Sequence, residues 1–214
     1  MNDTVRACPL EVWQIDIRRL ACQVRPLSLV LDDEERDRAR RYVRPADALS
    51  YRVAHGALRM ILGGHVGIAP QRLRFARGEH GKPLLRDGGP LFSLSHSGGL
   101  ALVAVSADRD VGVDVEQIRP IPRAVSLAEL FFTPEEARTI ADQPPSCRDL
   151  LFMRSWTAME ATVKAEGTGL GDADAAAGAW RRAAWSVRRL ALAPTHVGAV
   201  AARGDFVVRT RRFG

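Results

Sequence analysis

Phe152-Met-Arg-Ser-Trp-Thr-Ala-Met-Glu-Ala-Thr-Val-Lys-Ala-Glu-Gly167 has the spacing of a helix and a residue that would close it. Met153, Trp156, Met159 and Val163 recur three or four apart, the interval at which side chains share a helix face. Gly167 stands where a left-handed C-cap ends the last turn. Trp156, Glu160 and Lys164 follow at intervals of four, so a carboxylate and an ammonium project beside an indole along one stripe. The indole is expected to be largely buried. Taken alone, the stripe is also what an exposed Glu-Lys pair beside a core tryptophan looks like, worth about 0.3 kcal/mol.

A second acidic pair gives the helix a partner. Val111-Gly-Val-Asp-Val-Glu116 alternates, so on a strand Asp114 and Glu116 point to the same face. Two neighbouring carboxylates repel unless a cation or a proton lies between them. The pair also fits a solvated edge strand ending in a turn. The apolar runs Leu100 to Val105 and Val111 to Val113 favour a buried sheet whose acidic tip meets a cleft. With Glu160 added, three oxygen ligands could hold a hard cation such as Mg²⁺.

Composition narrows the classes. A chain of 214 residues with 46% hydrophobic content has enough apolar material for one large core or two small ones. No apolar run reaches membrane-spanning length, and Met1 to Cys8 lacks the layout of a signal peptide, so a cytoplasmic protein without a membrane anchor is expected. Cys8, Cys22 and Cys147 are odd in number and scattered, which fits reduced thiols better than a disulfide framework or a zinc site. The net charge of +6 favours a polyanionic partner. The arginines are dispersed with few interleaved aromatics, and no groove-reading motif occurs, which argues against nucleic acid. A phosphate-rich small molecule or an acidic protein explains the charge equally well.

Along the chain, Glu11 to Ile17 alternates as an opening strand. Asp32 to Arg41 places acid before base, suited to a helix dipole, and Pro45 is expected to end that helix. A second helix is expected from Asp47 to Leu62, closed by Gly63-Gly64, with Arg52, His55 and Arg59 as a basic stripe that by default is a solvated face. Short extended pieces surround the Glu79-His-Gly81 turn, and Asp87 to Pro90 forms another. Phe92 to Leu94 and Leu100 to Ser106 read as a hairpin around Ser95-His-Ser-Gly-Gly99. Ser-His-Ser invites a hydrolase reading, but Gly-x-Ser-x-Gly is absent, and adjacent Ser and His do not orient one another as nucleophile and base. Thr133-Pro-Glu-Glu136 is a capping box, Gln143 to Ser146 a break, and Leu170 to Ala179 a loop. Trp185 to Leu190, Val197 to Ala202 and Phe206 to Thr210 are closing strands.

These motifs, in their order, resemble the 4'-phosphopantetheinyl transferases of the surfactin-synthetase-activator type. The resemblance rests on Gly81-Lys82-Pro83, Phe92-Ser-Leu-Ser-His-Ser97, Gly112-Val-Asp-Val-Glu116, Phe131-Phe-Thr-Pro-Glu135 and the Trp156 to Lys164 helix, and covers roughly residues 30 to 170. It implies an α+β fold of two similar α/β halves in pseudo-twofold arrangement, residues 1–108 and 109–214, and a monomer because both halves lie in one chain. It implies transfer of phosphopantetheine from coenzyme A to a serine of an acyl or peptidyl carrier protein. Asp114, Glu116 and Glu160 would then hold Mg²⁺ or Mn²⁺, and Glu160 would also serve as base. Lys164 would neutralise phosphate charge, and Arg77, Lys82, Pro83, Ser95 and His96 would meet coenzyme A. For the 3'-phosphate the candidates are Arg38, Arg52 and His55. One position departs: the family commonly has lysine where Met159 stands, which leaves a catalytically impaired, ligand-binding relative as the alternative reading.

Overall fold

The structure is a computed structural model that describes residues 9–78, 81–168 and 185–214. It is a mixed α+β protein. β1 (Leu10–Asp16) leads through a short 3-10 turn to α1 (Val24–Leu29), α2 (Asp33–Arg40) and the long α3 (Pro45–Val66). β2 (Phe75–Arg77), β3 (Pro83–Leu85), β4 (Leu91–Ser97) and β5 (Leu100–Ser106) follow. A similar order then recurs with fewer strands: β6 (Val111–Gln117), α4 (Ala124–Phe131), α5 (Pro134–Ala141), the long α6 (Pro145–Glu166), β7 (Trp185–Arg189) and β8 (His196–Arg203), before a last strand β9 (Val208–Arg212).

Strand order repeats as well. One sheet runs β4-β5-β1-β9 and another β6-β8-β7, so β1 and β6 each pair antiparallel with the last strand of their own set. The chain's final strand crosses back to lie parallel to β1 in the first sheet. Alternation along β1 sends Leu10 and Val12 to one face, where they meet Val111, Val113 and Val115 of β6 between the two sheets. Ile15 and Ile17 face the other way, onto Val53, Ala57 and Ile61 of α3. On β6 the outward set is Gly112, Asp114 and Glu116, against α6. A Cβ on Gly112 would overlap the Ala161 carbonyl and the Ala165 nitrogen, so only glycine lets the helix lie directly on the strand.

Several boundaries differ from expectation. Pro45 does not end a helix but opens one, at the first helical position where its missing N–H is no loss. Gly63-Gly64 does not close α3; the helix runs on to Val66, and Gly67, at φ 68°, is the C-cap. Gly63 is there for space: a Cβ would sit 2.7 Å from the Ile68 carbonyl oxygen. The hairpin loop is only Gly98-Gly99, both with positive φ, so Ser95, His96 and Ser97 belong to β4 and pair with β5. Arg59 is not on a solvated stripe but fully buried. Trp156 is largely covered, as expected, its indole stacked on Phe152 and edge-on to Phe131.

Other expectations hold. Thr133 and Glu136 make the capping box reciprocally, Pro134 follows it, and Gly167 caps α6 at φ 81°. Cys22 and Cys147 are exposed free thiols. The turn residues Glu79 and His80, Cys8 and the stretch Leu170 to Ala179 lie outside the described residues. Among the described residues no helix is long and apolar enough to cross a membrane.

Candidate active site

β6 and α6 bring the acids together. Asp114 is buried, and its Oδ1 lies 2.6 Å from Lys164 Nζ and accepts a 2.8 Å bond from the Ser95 hydroxyl. Lys164 Nζ also stands 3.9 Å from Glu160 Oε2, one turn earlier on the same helix face. Glu116, two residues along β6, accepts a 2.8 Å bond from the Ser97 hydroxyl. Burial raises the pKa of Asp114 against the pull of Lys164 and Ser95. Burial also raises that of Glu160, and repulsion from Asp114 and Glu116 adds to it. The three carboxylates therefore share one electrostatic neighbourhood.

Beside them opens a cavity of about 410 Å³. Its basic lining is Arg38, His55, Arg77, Lys82 and Lys164, drawn from α2, α3, the β2–β3 region and α6. Tyr51, Phe75 and Phe92 supply flat apolar walls, and Pro83 also lines it. Lys164 belongs to both places, reaching Asp114 while lining the cavity. Lys82 donates to the Ala165 carbonyl at 2.9 Å, satisfying an orphan acceptor at the end of α6, and burial lowers its pKa. Asp32, Glu34 and Glu35 also line the cavity, with Glu34 3.6 Å from Arg77, and Lys164 links this lining to the carboxylates of β6 and α6.

A buried ion network holds the far wall. Arg59 donates from Nε to Glu35 at 2.5 Å, pairs with Asp32, and bonds the Pro70 and Leu73 carbonyls. Asp32 and Glu35 are the capping box of α2, so this one guanidinium fixes the start of the helix that carries Arg38. His55 Nδ1 lies 3.2 Å from Glu35, and its ring stacks on Tyr51 at 3.9 Å. Burial alone would raise Glu35, but His55 and Arg59 hold it below the usual carboxylate range. Burial, with Glu35 nearby, pushes Tyr51 up to about 12, so its phenol stays protonated.

The remaining sequence candidates fall elsewhere. Arg52 does not line the cavity; its Nε donates to the Ala48 carbonyl on its own helix. Ser95 points at Asp114 and β6, not into the cavity. His96 lies on the opposite face of β4, where burial lowers its pKa and the charges of His55 and Lys164 lower it further. Met159 is fully buried among Phe132, Ile140 and Phe152, on the core side of α6. Sequence reasoning missed Tyr51 and Phe75 as cavity walls. It also missed the seam made by Ser93, Ser95 and Ser97, although their period of two was a strand signal placing all three on one face.

Among the described residues no three His, Cys, Asp or Glu side chains converge as a ready ligand group for a metal; the Lys164 ammonium supplies the cation instead. The donors nonetheless suit a hard divalent ion. All are carboxylate oxygens, and one of them, Asp114 Oδ2, is buried with no hydrogen-bond partner.

Comparison with known proteins agrees with this chemistry. Residues 110–197 match the family model of the 4'-phosphopantetheinyl transferase superfamily. Over 173 residues the chain is 36% identical to the 4'-phosphopantetheinyl transferase HetI of Nostoc sp., covering 79% of this chain and 73% of that protein. It is 37% identical over 144 residues to a putative 4'-phosphopantetheinyl transferase of Synechocystis sp., covering 66% of this chain and 58% of the relative. The similarity to the transferase Sfp of Bacillus subtilis is 26% over 141 residues, 65% of this chain and 62% of Sfp. The chain belongs to the 4'-phosphopantetheinyl transferase superfamily.

Proposed function

We propose that this protein transfers the 4'-phosphopantetheine group of coenzyme A to a serine hydroxyl of an apo acyl or peptidyl carrier protein, releasing 3',5'-ADP. The observation that carries the reading is Lys164, which joins an acidic cluster of Asp114, Glu116 and Glu160 to a cavity lined by four further basic side chains. In the reaction a serine O–P bond forms and the P–O bond to the nucleotide breaks, so charge positioning does most of the work. Arg38 and His55, both in the cavity wall, are the better candidates for the 3'-phosphate than Arg52. Arg77 and Lys82 would meet the other phosphates, with Pro83 shaping the wall. Tyr51 and Phe75 offer faces for a base or a pantetheine arm.

Asp114, Glu116 and Glu160 would hold Mg²⁺ or Mn²⁺, which would neutralise the pyrophosphate oxygens as the bond breaks. Glu160 would take the proton of the attacking serine. Lys164 would turn from Asp114 to the phosphates to stabilise the charge that develops there. Ser95 and His96 would act from β4, Ser95 by holding Asp114 and Lys164, His96 as a ligand hydrogen-bond partner. We further propose a pseudo-twofold relation between the halves, supported by their matching strand order, and a cytoplasmic monomer, supported by both halves lying in one chain. Met159 gives no support to an impaired relative, because it faces the core and touches none of this machinery. The test is incubation with coenzyme A, Mg²⁺ and a panel of apo carrier proteins. Gain of one phosphopantetheine by a carrier is expected, and failure with every carrier would refute the reading.

A further inference from the structure

β6 is the edge of its sheet, yet its outward N–H groups are not left bare. Ser93, Ser95 and Ser97 of β4 face it in register. Their hydroxyls accept from Val113 N at 3.1 Å, Val115 N at 3.4 Å and Gln117 N at 3.1 Å. A ladder of side-chain hydroxyls thus takes the place of a neighbouring strand and seals the two sheets together. A hydroxyl has one proton to give. Ser95 gives its proton to Asp114 Oδ1 and Ser97 gives its own to Glu116 Oε2, both at 2.8 Å, while Ser93 meets no carboxylate. The same structural bond is therefore made three times, and in two of the three it also aims an acid.

We propose that Ser97 is a positioning residue for Glu116, a role that rests on Glu116 being a metal ligand as argued above. Asp114 is short, buried and held by Lys164 as well as Ser95. Glu116 lies near the end of its strand, partly exposed, with a longer side chain whose rotamers must be restrained before it can ligate. Ser97 is itself pinned: its carbonyl lies 3.2 Å from His196 Nε2, and the following Gly98 has φ 57° and no room for a Cβ beside the Gln117 side chain. The strand end is rigid, so the hydroxyl fixes the carboxylate and not the reverse.

The experiment is direct Mn²⁺ titration of the purified protein, followed by the electron paramagnetic resonance of free Mn²⁺, with thermal melts of the same samples. Ser97→Ala is expected to raise the Mn²⁺ Kd by about tenfold or more, the usual cost of losing a group that orients a ligand. Ser97→Thr, which keeps the hydroxyl, is expected to restore the Kd to within about threefold. Ser93→Ala cuts the seam without touching an acid, so it should lower the melting temperature like Ser97→Ala while leaving the Kd within about threefold. An unchanged Kd in Ser97→Ala, or an equal loss in Ser93→Ala, would overturn the assignment. If Ser97→Ala melts too low to titrate, Ser97→Cys takes its place, and a wild-type Kd there would overturn it too. Wild-type protein that binds no Mn²⁺ would remove the metal reading itself, and this proposal with it.

Discussion

The two long helices are built alike and used differently. α3 and α6 each span 22 residues, open with proline and close on a left-handed glycine, Pro45 to Gly67 and Pro145 to Gly167. Each follows a short helix with a reciprocal capping box, Asp32 with Glu35 and Thr133 with Glu136. At the matching position one hundred residues apart, α3 buries Arg59 and α6 buries Met159, both fully. In the first half the guanidinium ties the capping acids down and leaves a cavity above them. In the second, methionine fills an apolar core, and the charged stripe of Glu160 and Lys164 turns toward β6. Trp13 and Asp114 each stand fourth in their strands, β1 and β6, and each leaves a buried atom unpartnered, Nε1 and Oδ2. A shared layout therefore supports two jobs, a ligand wall and a carboxylate cluster, through a few buried choices.

The comparison can be broken at several points. The largest effect is expected from Asp114→Asn, which should lower transfer by about a thousandfold or more, the scale of losing a metal ligand with its electrostatic work. Its metal-free melting temperature should hold or rise, because burial already penalises the charged form of Asp114. Near-normal turnover, measured by radiolabel or mass transfer to a carrier, would contradict the cluster. Next are the two buried positions. Arg59→Met leaves Glu35 and Asp32 without their guanidinium and should destabilise by about 3–5 kcal/mol in a denaturant melt, as removing one partner of a buried pair does. Met159→Lys places an ammonium in an apolar core and should lower the melting temperature by roughly 10 °C, for a cost near 4 kcal/mol. Per folded molecule its rate should stay within about tenfold of wild type, or about 1.4 kcal/mol. A hundredfold gain instead would mean that the core position had been a lost catalytic one.

The smallest effect concerns encounter. With a net charge of +6, association with an acidic carrier surface should be steered electrostatically. The KM for apo carrier is expected to rise by about threefold to tenfold as salt goes from roughly 50 to 300 mM, as the Debye length shrinks. A flat profile would remove the charge argument while leaving the site chemistry standing.

Period and punctuation made much of this legible. Alternation in Val111 to Glu116 placed Asp114 and Glu116 on one face, and the four-residue steps of α6 aligned Glu160 with Lys164. The Thr133 capping box and Gly167 gave helix ends correctly because cap chemistry is local. What failed was non-local. Gly63 read as a stop but serves close packing against Ile68, a contact no window reveals. Arg59 read as solvated because its partners lie 24 and 27 residues away. The recurring order of elements does not show as sequence identity, since what α2–α3 and α5–α6 share is proline, glycine and caps.

The central claim is that Glu160 serves as both ligand and base in an acid cluster that drives phosphopantetheine transfer. The direct measurement is a single-turnover transfer assay with saturating coenzyme A and Mg²⁺, comparing wild type with Glu160→Gln by mass gain of an apo carrier. Glutamine is nearly isosteric, so a matched thermal melt separates misfolding from lost chemistry. The account predicts transfer by wild type and a loss of about a thousandfold or more in the variant, since a ligand and a proton acceptor go together. Transfer by Glu160→Gln within tenfold of wild type would contradict it.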